Sequence, residues 1–288
     1  MRNTVFVFRI GLFSLLLLLA FRGTAQQLPA AKETAVAAGG EKDLVDILFA
    51  DLEIAYEDGL AYFLAPLQFE HADWWRTAGV TGGTAGLLLL DRQIQRIPRS
   101  MQDPDVNSFI YNFHWGGNLT AAELVSGATY LTGWLAGEDD VRVTGRMFLQ
   151  TLFYSGSVAI VLRTLTGRRW PAARQGPYSF HFIEFDDTYQ AFPSGHCVVA
   201  FSMATVLAER FDNTLASVLL YAGATSVALS RIYVDHHWAS DIFLGSAIGY
   251  FTGKYVASRE RSRSGEKKDA QAWSITPVPG GMGLSIRF

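Results

Sequence analysis

The chain has one cysteine, Cys197, in 288 residues, so no internal disulfide can form and the fold must be held by its apolar core. Cys197 lies inside an apolar run and reads as a small buried hydrophobe. Charge is also scarce: charged residues make up 18% of the chain, and 24 Lys and Arg stand against 27 Asp and Glu. The one broadly basic stretch is short, from Lys254 to Lys268, which argues against a nucleic-acid partner. The body of the chain does not alternate with period two, which excludes a substantial sheet, and no repeat shows at solenoid periods. Most charge-free runs are only about 12 to 17 residues, short of the roughly 20 that a bilayer's hydrocarbon demands.

What the chain has is apolar material, 49% of its residues, enough for one sizeable core. It falls into six segments: Thr77 to Leu90, Leu119 to Ala136, Met147 to Leu162, Cys197 to Ala208, Leu215 to Leu229 and Ile242 to Gly253. Their spacing predicts an all-α bundle of about six core helices. Thr120 with Glu123 reads as a capping box for the second segment, and Asn213 with Thr214 precedes the fifth. The content of Gly, Ser, Thr and Ala suits close helix packing, in a membrane or outside one.

Around this domain, expected over 73–257, lie three further parts. Residues 1–25 read as a secretory signal, with Arg2 and Arg9, an apolar stretch from Ile10 to Phe21 and small residues before Gln26. Residues 26–72 read as a leader followed by an amphipathic helix in which Leu44, Ile47, Leu48, Leu52 and Tyr56 recur at helical spacing; Asp43, Asp46, Asp51 and Glu53 form its polar face. Residues 258–288 read as a charged, disordered tail ending in a strand-like segment, Leu284 to Phe288. These readings predict export to the cell envelope. If all six segments span with the basic tail inside, the residues before the first span are cytoplasmic, whereas a cleaved signal puts them outside. An uncleaved leader, a segment that does not span, or a soluble periplasmic bundle each removes the conflict.

Three stretches carry chemistry. In Ser230-Arg231-Ile232-Tyr233-Val234-Asp235-His236-His237-Trp238-Ala239-Ser240-Asp241, helix from His237 onward stacks imidazole and carboxylate at i, i+4. Asp241 can then hold one ring nitrogen and leave the other free to attack or accept a proton; the same pair also fits a structural hydrogen bond. Arg231 supplies a planar cation suited to phosphate oxygens. In Pro193-Ser194-Gly195-His196, proline, an N-capping serine and a glycine precede an apolar run, giving a helix N-terminus that attracts anions, with His196 in its first turn. Arg163, Arg168 and Arg169 form a knot of guanidinium groups before Trp170-Pro171.

In this order the three blocks resemble the type 2 phosphatidic acid phosphatase (PAP2) superfamily, which also holds the vanadium haloperoxidases. Its pattern is K-x6-R-P, then P-S-G-H, then S-R-x5-H-x3-D. The second and third blocks match letter for letter at Pro193, Ser194, Gly195, His196, Ser230, Arg231, His237 and Asp241. The first departs from it: Arg163 stands for the lysine and Trp170 for the arginine, which removes a phosphate donor and leaves Arg168 or Arg169 to substitute. The resemblance covers the chain from Trp74 to Val256.

That resemblance implies a metal-independent phosphatase without a cofactor. Arg163, Arg168, Arg169, Arg231, Ser194 and Gly195 would bind phosphate. His237 would attack phosphorus to form a phosphohistidine, Asp241 would hold its tautomer, and His196 would protonate the departing oxygen. The leading substrate is a lipid phosphate such as phosphatidate or a prenyl diphosphate, reached at a membrane with the site on the periplasmic side. Two alternatives stay open: a soluble periplasmic acid phosphatase on small phosphomonoesters, and a haloperoxidase holding vanadate on His237. His236 reads as a neighbour of His237 without catalytic duty, and His71, His114 and His181 read as structural or surface groups.

Overall fold

The computed structural model describes residues 44–265, with only 103, 106 and 110 described between 101 and 111, and the backbone of 273–278 and 281–286. The signal and leader readings on residues 1–43 lie outside the described residues, as does the stretch 266–272.

Seven long helices are described: α1 (Leu44–Leu64), α2 (His71–Ser100), α3 (Leu119–Ala136), α4 (Asp139–Thr166), α5 (Gly195–Phe211), α6 (Thr214–Tyr233) and α7 (Ala239–Ser264). The bundle is all-α, as its period predicts, and each of the six apolar segments lies within one helix. Leu284 to Ile286 of the strand-like ending lie in β2 (Gly281–Ile286), which pairs antiparallel with β1 (Trp273–Val278), Trp273 opposite Ile286; residues 287 and 288 lie outside the described residues.

The helices outrun the apolar segments because polar residues at their ends face inward. In α2, Asp91 and Gln95 are buried, so the helix continues well past Leu90. Two acidic residues of α1, Asp51 and Asp58, are likewise not solvated. Asp51 is buried against Arg142, Arg146 and the Tyr130 hydroxyl. Asp58 is buried against Arg259 and Arg263. Those arginines correct the reading of 258 onward as a disordered tail. Arg259, Arg261 and Arg263 belong to the last turns of α7, tied to Asp58, Glu209 and Glu260, and the pairing carries the helix to Ser264. The cap of α3 is Asn118, whose Oδ1 accepts from Ala121 N–H at 2.9 Å, and not the expected Thr120–Glu123 box. Asn213 caps α6 as expected, accepting from Ala216 N–H.

The core lies where α4, α5 and α7 meet, around Met147, Phe148, Tyr154, Val206 and Val256. One face of α7 carries Gly245, Gly249 and Gly253, each four residues on from the last. A Cβ there would drive into the Ser194 backbone, the Val198 and Ser202 backbone, and the Thr205 side chain in turn. Glycine thus brings α7 against α5 backbone to backbone and fixes the start of α7 beside the start of α5. Among the described residues, α4 and α6 are long and apolar enough to cross a membrane.

Candidate active site

Two main-chain tethers join the loop before α5 to the loop before α7. Ser194 N–H donates to the Asp241 carbonyl at 2.9 Å, and His237 Nδ1 lies 2.8 Å from the Ala191 carbonyl oxygen. A carbonyl can only accept, so Nδ1 carries the hydrogen and Nε2 keeps its lone pair. The tautomer suits a nucleophile, although the residue that sets it is not the expected one. Helix α7 begins only at Ala239, and His237 sits in a turn where its N–H and that of His236 both reach the Arg231 carbonyl. Asp241 Oδ2 is 3.6 Å from His237 Nδ1 and accepts instead from Trp238 N–H at 2.8 Å, capping α7.

The arginines separate into two groups. Arg168 is fully buried, and all of its donors end on protein: Nη1 on Asp241 and Ser240, Nη2 on Asp91, and Nε and Nη2 on the Pro177 carbonyl. This corrects the expectation that Arg168 binds phosphate, because no donor is left to offer. Asp91, which sequence reasoning missed, completes this brace and also accepts from the N–H and hydroxyl of Ser240. Arg169 is held differently, with its buried Nε lacking a hydrogen-bond partner among the described residues. Its guanidinium lies 4.0 Å over the Tyr189 ring and donates to that residue's hydroxyl at 2.7 Å, held by an aromatic partner no motif marks.

Arg163 and Arg231 remain at the site. Arg163 Nε donates to the Pro193 carbonyl at 2.9 Å, and a Cβ on Gly195 would collide with its guanidinium, so glycine is what admits this cation to the helix terminus. Arg231 is fully buried, its Nε 3.1 Å from Ser230 Oγ. Ser194 is the N-cap of α5, yet its hydroxyl makes no cap bond; the buried Oγ has no hydrogen-bond partner among the described residues. Two guanidinium groups, an uncommitted hydroxyl and a helix N-terminus therefore converge beside His196 and His237, an arrangement suited to a tetrahedral oxyanion.

One residue was misjudged from sequence. His114, read as structural or surface, puts its Nδ1 2.9 Å from His196 Nε2. Its signal was Gly116-Gly117 just after it: a Cβ on Gly117 would stand 2.7 Å from the Cβ and carbonyl oxygen of His196, so the turn Asn112–Gly117 presses directly on the start of α5. Trp170 fills the place of the pattern's arginine with a ring 5.5 Å from His236 and 6.2 Å from His237, centre to centre, and its buried indole N–H has no partner among the described residues.

Electrostatics hold the histidines neutral. Burial, then the Arg163 charge, puts His237 well below the usual imidazole range. Burial first, then the neighbouring His237 ring and the Arg231 charge, pushes His196 down to about 2. His114 and His236 are lowered mainly by burial and secondly by Arg231. Burial raises Asp91 and pushes Asp241 up to about 7, each opposed by the Arg168 cation between them. A neutral His237 is the protonation state a nucleophile needs.

With this geometry in hand, residues 146–263 match the PAP2 superfamily. The matched segment is less than half of the chain. It runs from Arg146 on α4 to Arg263 on α7 and contains both tethered loops. A lipid A 1-phosphatase of Porphyromonas gingivalis is 37% identical over 82 residues, which are 27% of this chain and 18% of the relative's length. Among solved structures, Aquifex aeolicus LpxE is 20% identical with a TM-score of 0.47, covering 59% of this chain and 95% of its own. A transmembrane PAP2-type phosphatidylglycerolphosphate phosphatase from Bacillus subtilis is 16% identical with a TM-score of 0.45, covering 76% and 96%.

Proposed function

We propose that this protein is a phosphatase that removes phosphate from a membrane lipid phosphate or diphosphate through a phosphohistidine on His237. The observation that carries the reading is the 2.8 Å bond from His237 Nδ1–H to the Ala191 carbonyl, which leaves Nε2 as the attacking lone pair in a pocket of two arginines. Nonbridging phosphate oxygens lie against Arg163, Arg231, Ser194 Oγ and the first N–H groups of α5, which take up charge as it develops. His237 Nε2 attacks phosphorus in line while His196 gives a proton to the leaving oxygen. Water then attacks the phosphohistidine, His196 takes its proton, and inorganic phosphate leaves. The guanidinium groups supply the charge stabilisation, and we propose that no metal takes part.

A lipid substrate is supported by the name of the Porphyromonas gingivalis relative and by the outer faces of the bundle. Leu124 and Leu135 of α3, Val161 of α4, and Leu215, Leu219 and Leu229 of α6 are all more than half exposed, which suits contact with acyl chains. The active site stands at the N-terminal end of α7 and a cluster of arginines at its C-terminal end, a polarity that supports a site on the periplasmic face. The test is phosphate release by detergent-solubilised protein from phosphatidate, undecaprenyl diphosphate, lipid A and an aryl phosphate, with and without chelator. Turnover of a lipid that persists in chelator and disappears in His237→Ala supports the proposal. Turnover lost to chelator removes the metal-free step, and turnover of the aryl ester alone removes the lipid.

A further inference from the structure

We infer that His114 is the proton relay of the general acid, linking His196 to solvent through a chain of hydrogen bonds whose direction the fold fixes. The inference rests on the phosphatase reading above and adds a residue to it.

The direction starts at the cap of α3. Asn118 Oδ1 is held by Ala121 N–H at 2.9 Å, so its other amide atom, the Nδ2 donor, is the one that meets His114 Nε2 at 3.4 Å. With Nε2 accepting, a neutral His114 carries its hydrogen on Nδ1 and donates it to His196 Nε2 over 2.9 Å. His196 then carries its own hydrogen on Nδ1. The turn that holds His114 is exposed at Asn112, Phe113 and Trp115, so the relay ends at the protein surface. Gly117, pressed on the His196 backbone, keeps the two rings at one spacing.

Both half-reactions balance along this chain. In the first, His196 Nδ1–H passes to the oxygen leaving phosphorus, His114 Nδ1–H passes to His196 Nε2, and water, displacing Asn118 Nδ2 from its long 3.4 Å contact, gives a proton to His114 Nε2. In the second, water attacks the phosphohistidine and gives its proton to His196 Nδ1, Nε2–H returns to His114 Nδ1, and His114 Nε2–H goes back to solvent. His196 accepts on one nitrogen as it donates from the other, so it never becomes an imidazolium among Arg163, Arg231, His236 and His237.

The test is rapid-quench measurement of the first turnover in wild type, His114→Gln and His114→Ala, on a lipid phosphate and on p-nitrophenyl phosphate, whose leaving group needs no proton. Glutamine can still donate a hydrogen bond to His196, but it cannot pass a proton. We expect His114→Gln to slow first-turnover cleavage of the lipid about 10- to 100-fold and to leave the p-nitrophenol burst within about 2-fold, with added imidazole restoring His114→Ala. Thermal unfolding of each variant controls for folding. Glutamine at the wild-type rate on both substrates, or an equal loss on both that imidazole does not restore, overturns the relay and reduces His114 to a positioning group. A wild-type enzyme that cleaves neither substrate overturns the phosphatase reading and the relay with it.

Discussion

His237 donates Nδ1–H to the Ala191 carbonyl at 2.8 Å, while Asp241 stands 3.6 Å from the same nitrogen. The tautomer of His237 is therefore set by docking of the loop before α5. Asp241→Asn should lower kcat by no more than about 100-fold. Where a carboxylate itself sets the tautomer, as in the serine-protease triad, the same change costs about 10⁴-fold. Steady-state kinetics of the purified variant decide between the two.

Arg168 holds Asp91 and Asp241 together in a fully buried site. Arg168→Met leaves two buried carboxylates without their cation, and breaking a buried pair costs roughly 3–5 kcal/mol. The expected result is a large fall in unfolding free energy, with KM close to wild type in whatever fraction folds. A normal stability with a raised KM would instead identify Arg168 as a phosphate ligand.

Trp170 replaces a cation by a ring beside His236 and His237. Trp170→Arg should restore a charged donor and strengthen inhibition by inorganic phosphate or vanadate about 10-fold, the effect of one charge-assisted hydrogen bond worth about 1.4 kcal/mol. Trp170→Phe keeps the ring and removes the N–H. Inhibition constants for both variants separate the role of the charge from that of the indole N–H.

His196 is neutral in the fold, its pKa pushed down to about 2 by burial and by the nearby charges. A base lowered in this way binds fewer protons folded than unfolded, so its stabilising effect is complete above the unfolded value near 6.5 and is lost as pH falls below it. The loss approaches about 1.4 kcal/mol per pH unit. Asp91 and Asp241, raised by burial, pull the other way, so the comparison should be between wild type and His196→Asn. Any stability advantage of wild type should narrow between pH 7 and pH 5 in denaturant titrations. A difference that does not change with pH would mean that His196 binds protons equally in the folded and unfolded chain, with no shift on folding.

The helices and the two intact motifs were legible because they are local: apolar period, the Pro-Ser-Gly turn, and His and Asp at short spacing. What escaped the sequence depends on partners far along the chain. Asp91 reads as the charged end of an apolar segment until Arg168, 77 residues away, reaches it. Arg168 and Arg169 are neighbours with identical side chains, yet the backbone turns one inward to two carboxylates and the other onto Tyr189. His114 stands 82 residues from His196, and only the glycine pair after it hinted at so close an approach. Arginines near the C-terminus read as a solvated tail because their acidic partners lie on α1 and α5.

The most direct test of the account is to trap the covalent intermediate. Protein mixed with a ³²P-labelled lipid phosphate and quenched within the first turnover should carry an acid-labile, base-stable phosphoryl group on the peptide that contains His237. His196→Ala with an activated aryl ester should accumulate that label, and His237→Asn should carry none. Label on any other residue, or turnover in His237→Asn, would contradict the assignment of His237 as the nucleophile.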